Sequence, residues 1–341
     1  MKLLKIVIVI TLIISVLTAS FCFRASGMVI YEGDFGFEVN TSAHEARLVR
    51  YNGNSSTVQL PEYFRDYPVT AIGRNAFSGN TAVKEITFSS TNTNVEEYAF
   101  MNCASLETVY IPENVVNFGD RVFANCTSLK TVTLLSDIVS MPTNMFYGCT
   151  SLSNLTVNDK IAEFSYGCFN GCSSLTNLDF VSNGALLQPY SFNGTAAESV
   201  VLSESLFAIP DHAFSDCPNL KFVTIPESVV IIQPSAFDFD KITIGCRYDS
   251  YAYHFAKENS YSYELLDGVM LGNVNRDSYV NINDVTRIQR HLAELQVLEG
   301  ICLYSADINQ DEAVDISDAT ALQMYLSEYN VPYPVGEVIT Q

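Results

Sequence analysis

Residues 115–134 read VVNFGDRVFANCTSLKTVTL, and the phenylalanine near the middle, Phe123, is one of a series. Phe77, Phe100, Phe123, Phe146, Phe169 and Phe192 follow one another at a constant interval of 23, then Phe214 comes after 22 and Phe237 after 23. Each unit sets an apolar residue five before the Phe (Ile72, Val95, Phe118, Met141, Phe164, Leu187, Ile209, Ile232) and a small one, usually Cys, three after it. An alternating run follows, as in Leu106, Val109 and Ile111 or in Leu220, Val223 and Ile225. Alternation over about six residues is a strand signal, and a fixed period of about 20 to 50 residues predicts stacked units rather than a closed globule. Equivalent positions then form ladders about 4.8 Å apart where strands pair.

The units IGRNAFSGNTAVKEITF, from Ile72, and VVNFGDRVFANCTSLKTVTL, from Val115, resemble the BspA-like bacterial leucine-rich repeat over about half of the chain. The resemblance implies a mainly β solenoid of parallel strands joined by short helical turns, with a surface-exposed, protein-binding or structural role. The unit SFNGTAAESVVLSESL, from Ser191, is one residue short and lacks the Cys, so an irregularity is expected near Thr195 to Ser199. Residues 28–70 lose the period but keep strand and turn signals, with turns at Asn52-Gly53 and around Pro61, which suits an N-terminal β cap. Tyr251 to Glu258 reads as a short helix followed by a last strand, so the solenoid with its C-terminal cap is expected over 71–264.

Composition narrows the partners. The 341 residues exceed one ordinary core of about 150 residues. A formal net charge of −20 repels phosphate backbones and anionic lipid, so no nucleic-acid partner is expected. The first residues place Lys2 and Lys5 before an apolar run from Ile6 to Leu17 and then small residues, the layout of a signal peptide over 1–27. Cleavage after Ser20 or after Gly27 fits, which makes the chain secreted and extracellular. The alternative is an uncleaved anchor, against which the run is shorter than the ~20 residues a span needs. No later stretch is long enough, so no stable membrane span is expected in the mature chain.

Nine cysteines in an exported chain first suggest disulfides. Cys103, Cys126, Cys149 and Cys172 stand where the repeat wants a small buried group, however, and side chains stacked in register keep the strand spacing instead of approaching to a Cβ separation of ~3.8 Å. Free buried thiols are therefore expected. Cys168 and Cys172 form a C-x3-C pair with no nearby His, a thin basis for zinc.

No active site is legible. The chain has no Trp to platform a sugar. The strand positions expected to face outward are mostly Thr, Asn and Lys, and Glu85, Glu107 and Asp179 among them read as solvated charges rather than as the carboxylate pair of a glycoside hydrolase. His44, His212, His254 and His291 are scattered. Tyr110 and Phe222 interrupt the polar face, either as exposed binding anchors or, the favoured reading, by packing on neighbouring turns.

The C-terminal part of the chain writes one pattern twice. GNVNRDSYVNINDVTRIQRHLAEL starts at Gly272, and ADINQDEAVDISDATALQMYLSEY starts at Ala306. Asn273, Asn275, Asp277, Asn281 and Asp284 occupy positions 1, 3, 5, 9 and 12 of the first loop, and Asp307, Asn309, Asp311, Asp315 and Asp318 those of the second. With the carbonyls of Tyr279 and Ala313 at position 7, this is the spacing by which a twelve-residue loop wraps Ca²⁺, so two ions are expected. Neither loop has the Gly usual at position 6, carrying Ser278 and Glu312. Apolar groups at helical spacing follow each loop, without the leading helix of a full EF-hand.

This duplication, expected over 265–341, resembles a type I dockerin, a small all-α calcium-binding domain. The resemblance implies docking onto a cohesin domain of a scaffoldin in a cellulosome-like assembly. By the family's pattern the partner contacts are Ile282 and Asn283 with Gln289 and Arg290 in the first copy, and Ile316 and Ser317 with Gln323 and Met324 in the second; an Ile at position 10 departs from the usual Ser-Thr pair. The resulting expectation is a secreted, non-catalytic solenoid that binds an unknown protein or glycan ligand while its tail is anchored. A dockerin-bearing carbohydrate-active component of polysaccharide degradation and a free surface adhesin stay open as alternatives.

Overall fold

The computed structural model describes residues 28–247, 250–266, 268–277, 279–299 and 301–339. The expected signal segment 1–27 and Ser278 lie outside them. The described residues divide into two compact units, 28–138 with 142–158, and 139–141 with 159–339.

In the first unit, strands Thr57–Gln59, Glu85–Thr87, Thr108–Ile111, Thr131–Leu134 and Asn154–Thr156 form one parallel ladder, with Glu85, Thr108, Thr131 and Asn154 in register. A second edge stacks Glu45–Tyr51, Tyr67–Ile72, Asn94–Val95 and Asn117–Phe118 in parallel. Ile30–Glu32 and Phe35–Asn40 add antiparallel strands outside Glu45–Tyr51, covering the open edge. Solenoid pairing thus reaches back to Glu45, before the phenylalanine period is visible.

Between the ladders run the rings. Tyr51 stacks on Phe77 at 4.8 Å, Phe77 on Phe100 at 5.0 Å, Phe100 on Phe123 at 5.4 Å and Phe123 on Phe146 at 5.7 Å. Tyr51 is the first ring of the column. Two residues after each Phe the backbone is left-handed, at Gly79, Asn102, Asn125 and Gly148. Gly and Asn are the residues that tolerate this conformation, so the turn chemistry explains why the chain writes them there. The following Cys turns inward, and the thiols of Cys103, Cys126 and Cys149 donate to the carbonyls of Phe77, Phe100 and Phe123 at 3.1, 3.2 and 3.1 Å.

The second unit repeats this plan with Phe169, Phe192, Phe214 and Phe237 stacked at 5.5, 5.3 and 5.2 Å. Its long ladder is Ser199–Val201, Phe222–Thr224, Thr243–Cys246 and Tyr263–Leu265, and helix α1, Tyr251–Glu258, lies before the last of these. Ser250 caps α1 by accepting from the Tyr253 amide.

The alternating run after Phe169 does not form the expected strand: Asp179–Asn183 is a 3-10 turn, so Asp179 is not on a strand face. The reason is side-chain order. Leu178, Phe180 and Val181 break the alternation, Val181 is buried, and the Phe180 ring packs against Phe164, Phe169 and Phe192 at 5.8, 5.7 and 6.1 Å. In the short unit, buried Thr195 takes the Cys position, and its hydroxyl donates to the Phe192 carbonyl at 3.0 Å. Residues 195–198 form no strand, so the lost residue is absorbed there.

Cys103, Cys126, Cys149, Cys168 and Cys217 are buried free thiols, and Cys172 is buried as well. Phe222 and Tyr110 part company: the Phe222 ring lies over Gly245, where a Cβ would meet it at 2.6 Å, whereas Tyr110 is exposed.

Candidate metal and docking site

The C-terminal module packs helices α2 (Ile282–Leu292), α3 (Ile301–Ala306) and α4 (Ile316–Leu326) around one small core. Val285, Ile288, Ala319 and Leu322 come from the two long helices, and Leu271, Val274, Ile308 and Val335 from the segments that lead in and out. Val280 and Val314, then Leu292 and Leu326, pack on its rim in equivalent places. The duplication in the sequence therefore becomes an approximate two-fold arrangement.

Each loop is wired into the helix it precedes. In the first, the buried Asp284 carboxylate accepts from the Asn275 and Asn281 amides, both at 2.8 Å, while Asn281 caps α2 by accepting from Asn283 at 2.9 Å. The Asp277 amide donates to the side-chain oxygens of Asn273 and Asn275 at 3.2 and 2.9 Å, and the Tyr279 amide to Asp277 at 3.1 Å.

The second loop repeats these bonds. Asp318, also buried, accepts from Asn309 at 3.2 Å and Asp315 at 2.8 Å, with Ile308 added at 2.7 Å, and Asp315 caps α4 through Ser317. The Asp311 amide donates to Asp307 and Asn309 at 3.1 and 3.0 Å, and the Ala313 amide to Asp311 at 3.1 Å. In both copies the ninth and last members of the loop, Asn281 with Asp284 and Asp315 with Asp318, form a reciprocal capping box.

Backbone and charge carry the cost of this wiring. Arg276 and Gln310, at position 4 of the loops, and Glu312, at position 6, are left-handed with φ of 59, 58 and 70°. A non-glycine residue held there stores strain that the surrounding loop must offset. Burial pushes the Asp318 carboxyl up from its ordinary value against three backbone N–H donors, and the Ser317 hydroxyl and amide pull Asp315 down.

Among the described residues no group of three or more His, Cys, Asp or Glu converges on a point. The donors are instead mixed carboxylate and Asn amide oxygens, turned inward by the bonds above. Hard oxygen donors of this kind suit Ca²⁺ and not zinc, and a fully buried Asp at the end of each loop is a charge that a cation would offset. The residues present fit the ion.

All eight positions singled out for a partner are exposed: Ile282, Asn283, Gln289, Arg290, Ile316, Ser317, Gln323 and Met324. Ile282 and Ile316 are 61% and 68% exposed, large for aliphatic side chains, and each opens its helix. The Ser317 hydroxyl is engaged with Asp315 at 2.6 Å and receives Asn309 at 3.0 Å.

Sequence reasoning missed the pairing of the module's ends. Val269–Met270 runs antiparallel to Val338–Ile339, and the Leu271 amide donates to the Glu337 carbonyl at 3.1 Å. The only signal for it is the apolar run around Val335 and Val338. It also missed that Leu265 packs against the helical core and that Lys257 of α1 meets Glu299 at 2.9 Å.

Comparison with known proteins covers the same two regions. The BspA type leucine rich repeat region matches in six copies over residues 51–176 and 139–245, more than half of the chain, and the dockerin type I domain matches residues 271–327. Among solved structures, a leucine rich cell surface protein from Faecalibacterium prausnitzii A2-165 is 22% identical, with 65% of this chain and 76% of that one covered and a TM-score of 0.44. The leucine rich repeat protein of T. pallidum is 17% identical, covering 70% and 98% at a TM-score of 0.45. One from Bacteroides ovatus ATCC 8483 is 20% identical, covering 64% and 70% at 0.43. No curated protein matches the chain. Repeat ladder, duplicated acidic loops and family matches agree: the chain belongs to the BspA type leucine-rich repeat family and ends in a type I dockerin domain.

Proposed function

We propose that this is a secreted, non-catalytic binding solenoid, cut from its signal peptide and held on a cohesin-bearing scaffoldin by calcium-dependent docking of its tail. A dockerin is a cohesin-docking module and a leucine-rich repeat a protein-binding one, and neither family is catalytic. The observation that carries the proposal is the shared wiring of the two loops, in which the same buried Asp joins loop to helix cap beneath an exposed Ile.

The first ion would be held by Asn273, Asn275, Asp277, the Tyr279 carbonyl, Asn281 and Asp284, and the second by Asp307, Asn309, Asp311, the Ala313 carbonyl, Asp315 and Asp318. Bound Ca²⁺ supplies charge neutralisation. The chain's own residues do the rest: Asp284 and Asp318 hold each helix start to its loop, so the faces bearing Ile282 and Ile316 are rigid only when the loops are. We assign 28–70 to the N-terminal cap, which from Glu45 onward already pairs as solenoid rungs, 71–264 to the recognising solenoid and 265–341 to the anchoring module.

Carbohydrate chemistry finds no comparable support. Glu107 lies between Lys84 at 3.0 Å and Lys130 at 3.4 Å, which hold its carboxyl below the usual range, the opposite of what a general acid requires. Among the described residues no helix is long and apolar enough to cross a membrane. The test is capture of the full chain by a panel of immobilised cohesins with Ca²⁺ present, run beside a hydrolysis screen on plant polysaccharides. Capture without hydrolysis is the expected outcome; hydrolysis, or capture by no cohesin, overturns the reading.

A further inference from the structure

The second unit has a short-strand edge that the docking of the tail does not use. Ser140–Met141, Glu163–Phe164 and Leu186–Leu187 pair in parallel, Ala208–Ile209 pairs with Ile231–Ile232, and Leu186–Leu187 lies beside Ala208–Ile209. The second residue of each rung (Met141, Phe164, Leu187, Ile209, Ile232) is buried. Polar groups would be the ordinary choice for the solvent side, yet Val139, Leu186, Phe207, Val230 and Ile231 are 58, 49, 58, 42 and 40% exposed. Ala162 and Ala185 fill the same column, and the amides of Ala162, Ala185 and Val230 donate to Val139, Ala162 and Phe207 of the rung before at 2.8, 2.8 and 3.0 Å. The exposed apolar side chains therefore sit on successive rungs as a stripe, not as scattered single residues.

Charge in the segments that lead into the stripe is mostly acidic. Asp159, Glu204 and Glu227, all exposed, stand three before Ala162, Phe207 and Val230. From Asp159 to Asp238 the sequence has nine Asp and Glu against two Lys; Lys221 faces Glu198 at 3.8 Å, and the other, Lys160, stands beside Asp159. Glu227 has Arg247 at 3.9 Å, a long and exposed contact that screens little.

We propose that this edge binds a cationic amphipathic helix of another protein, its apolar side on the Val139–Ile231 stripe and its Lys or Arg residues toward Asp159, Glu204 and Glu227. Rungs about 4.8 Å apart nearly match one helical turn of about 5.4 Å, so side chains at i, i+3, i+4 and i+7 meet successive rungs. Four rung intervals span about 19 Å, the length of about 13 helical residues. A second copy of this chain would bring the same carboxylates against these. A glycan would find mainly aliphatic groups, since the polar side chains on these rungs, Ser140 and Glu163, are engaged with Ser165 and Gln188.

The inference rests on the solenoid being the recognising part of the chain. Its test uses the full chain and a labelled Leu/Lys peptide of about 14 residues with Leu at helical spacing, read by fluorescence anisotropy. The wild type should bind it, more weakly at high salt, and a Leu/Glu peptide of the same pattern should not bind. The double change Phe207→Ser with Val230→Ser keeps the net charge and alters only exposed positions; it should weaken binding at least about tenfold, while Tyr110→Ser leaves it unchanged. Equal binding by the wild type and the double variant overturns the proposal, as does equal binding of the Leu/Glu peptide. Self-association of the wild type that the double variant abolishes also overturns it, giving the stripe to a second copy. Cohesin capture of the same samples separates failure of the stripe from failure of the anchoring reading.

Discussion

Removing one ring from the aromatic column should cost the solenoid a large part of its stability. Phe123 is fully buried and stacked on both faces, at 5.4 Å from Phe100 and 5.7 Å from Phe146, with interplanar angles of 6° on each side. Core Phe→Ala changes cost about 3 to 5 kcal/mol, and each stacked pair adds about 0.5 to 1.5 kcal/mol beyond burial. Flanking turns held by their own ladder bonds cannot collapse into the space, which puts Phe123→Ala at about 4 to 5 kcal/mol. Thr156→Ala, on an exposed strand position, should stay within about 0.5 kcal/mol. Urea unfolding of the full chain can be followed by tyrosine fluorescence, since the protein has no Trp. With an m-value of about 3 kcal/mol/M the midpoint should fall by about 1.5 M for Phe123→Ala and hardly move for Thr156→Ala. Equal shifts for the two variants would refute the column as the source of stability.

Calcium affinity should differ between the loops. Loop 2 has carboxylates at four ligand positions and loop 1 at two, with Arg276 added; Asp284 and Asp318 are equally buried and each closes a capping box, so calorimetry of Asp284→Ala and Asp318→Ala isolates the charge difference, and the larger affinity loss is expected for Asp318→Ala. The core thiols should be silent toward alkylating reagents at pH 8 until urea unfolds the chain, because burial raises Cys126, Cys168 and Cys217 and pushes Cys149 from 9.0 up to about 12. A raised thiol pKa in the folded state means the unfolded chain loses its protons first. Stability is therefore full below about pH 8.5 and should decline as pH rises from about 9 to 12; a thermal midpoint that holds level across that window contradicts the burial argument.

How much of this was legible in the sequence depends on how far the pattern repeats. The phenylalanine period, the inward Cys and both acidic loops recur, so chance is averaged out and register follows directly. Tyr51 was hidden because it stands out of step with the period before Phe77 and is a different residue type, although it stacks as the first ring. The turn at Asp179–Asn183 was hidden for the opposite reason: the period around it is kept, and only the local order of Leu178, Phe180 and Val181 breaks the alternation. The exposed stripe was visible only once the short strands were paired, since Val139, Phe207 and Val230 look like ordinary apolar strand residues until Met141, Ile209 and Ile232 prove to be the buried ones. The pairing of the module's ends joins its first and last segments through two residues each, too little pattern to read.

The central claim is that the tail anchors the protein through two equivalent calcium-held helix faces, and one titration tests it most directly. Binding of a captured cohesin to the full chain is measured for the wild type, for Ile282 and Asn283 changed together to Ala, for Ile316 and Ser317 changed likewise, and for all four, each with Ca²⁺ and with a chelator. Either face alone should keep most of the affinity, the fourfold change should abolish binding, and the chelator should abolish it in every case, because each face is held by the loop before it. Cohesin binding that survives both the fourfold change and the loss of Ca²⁺ would contradict the account.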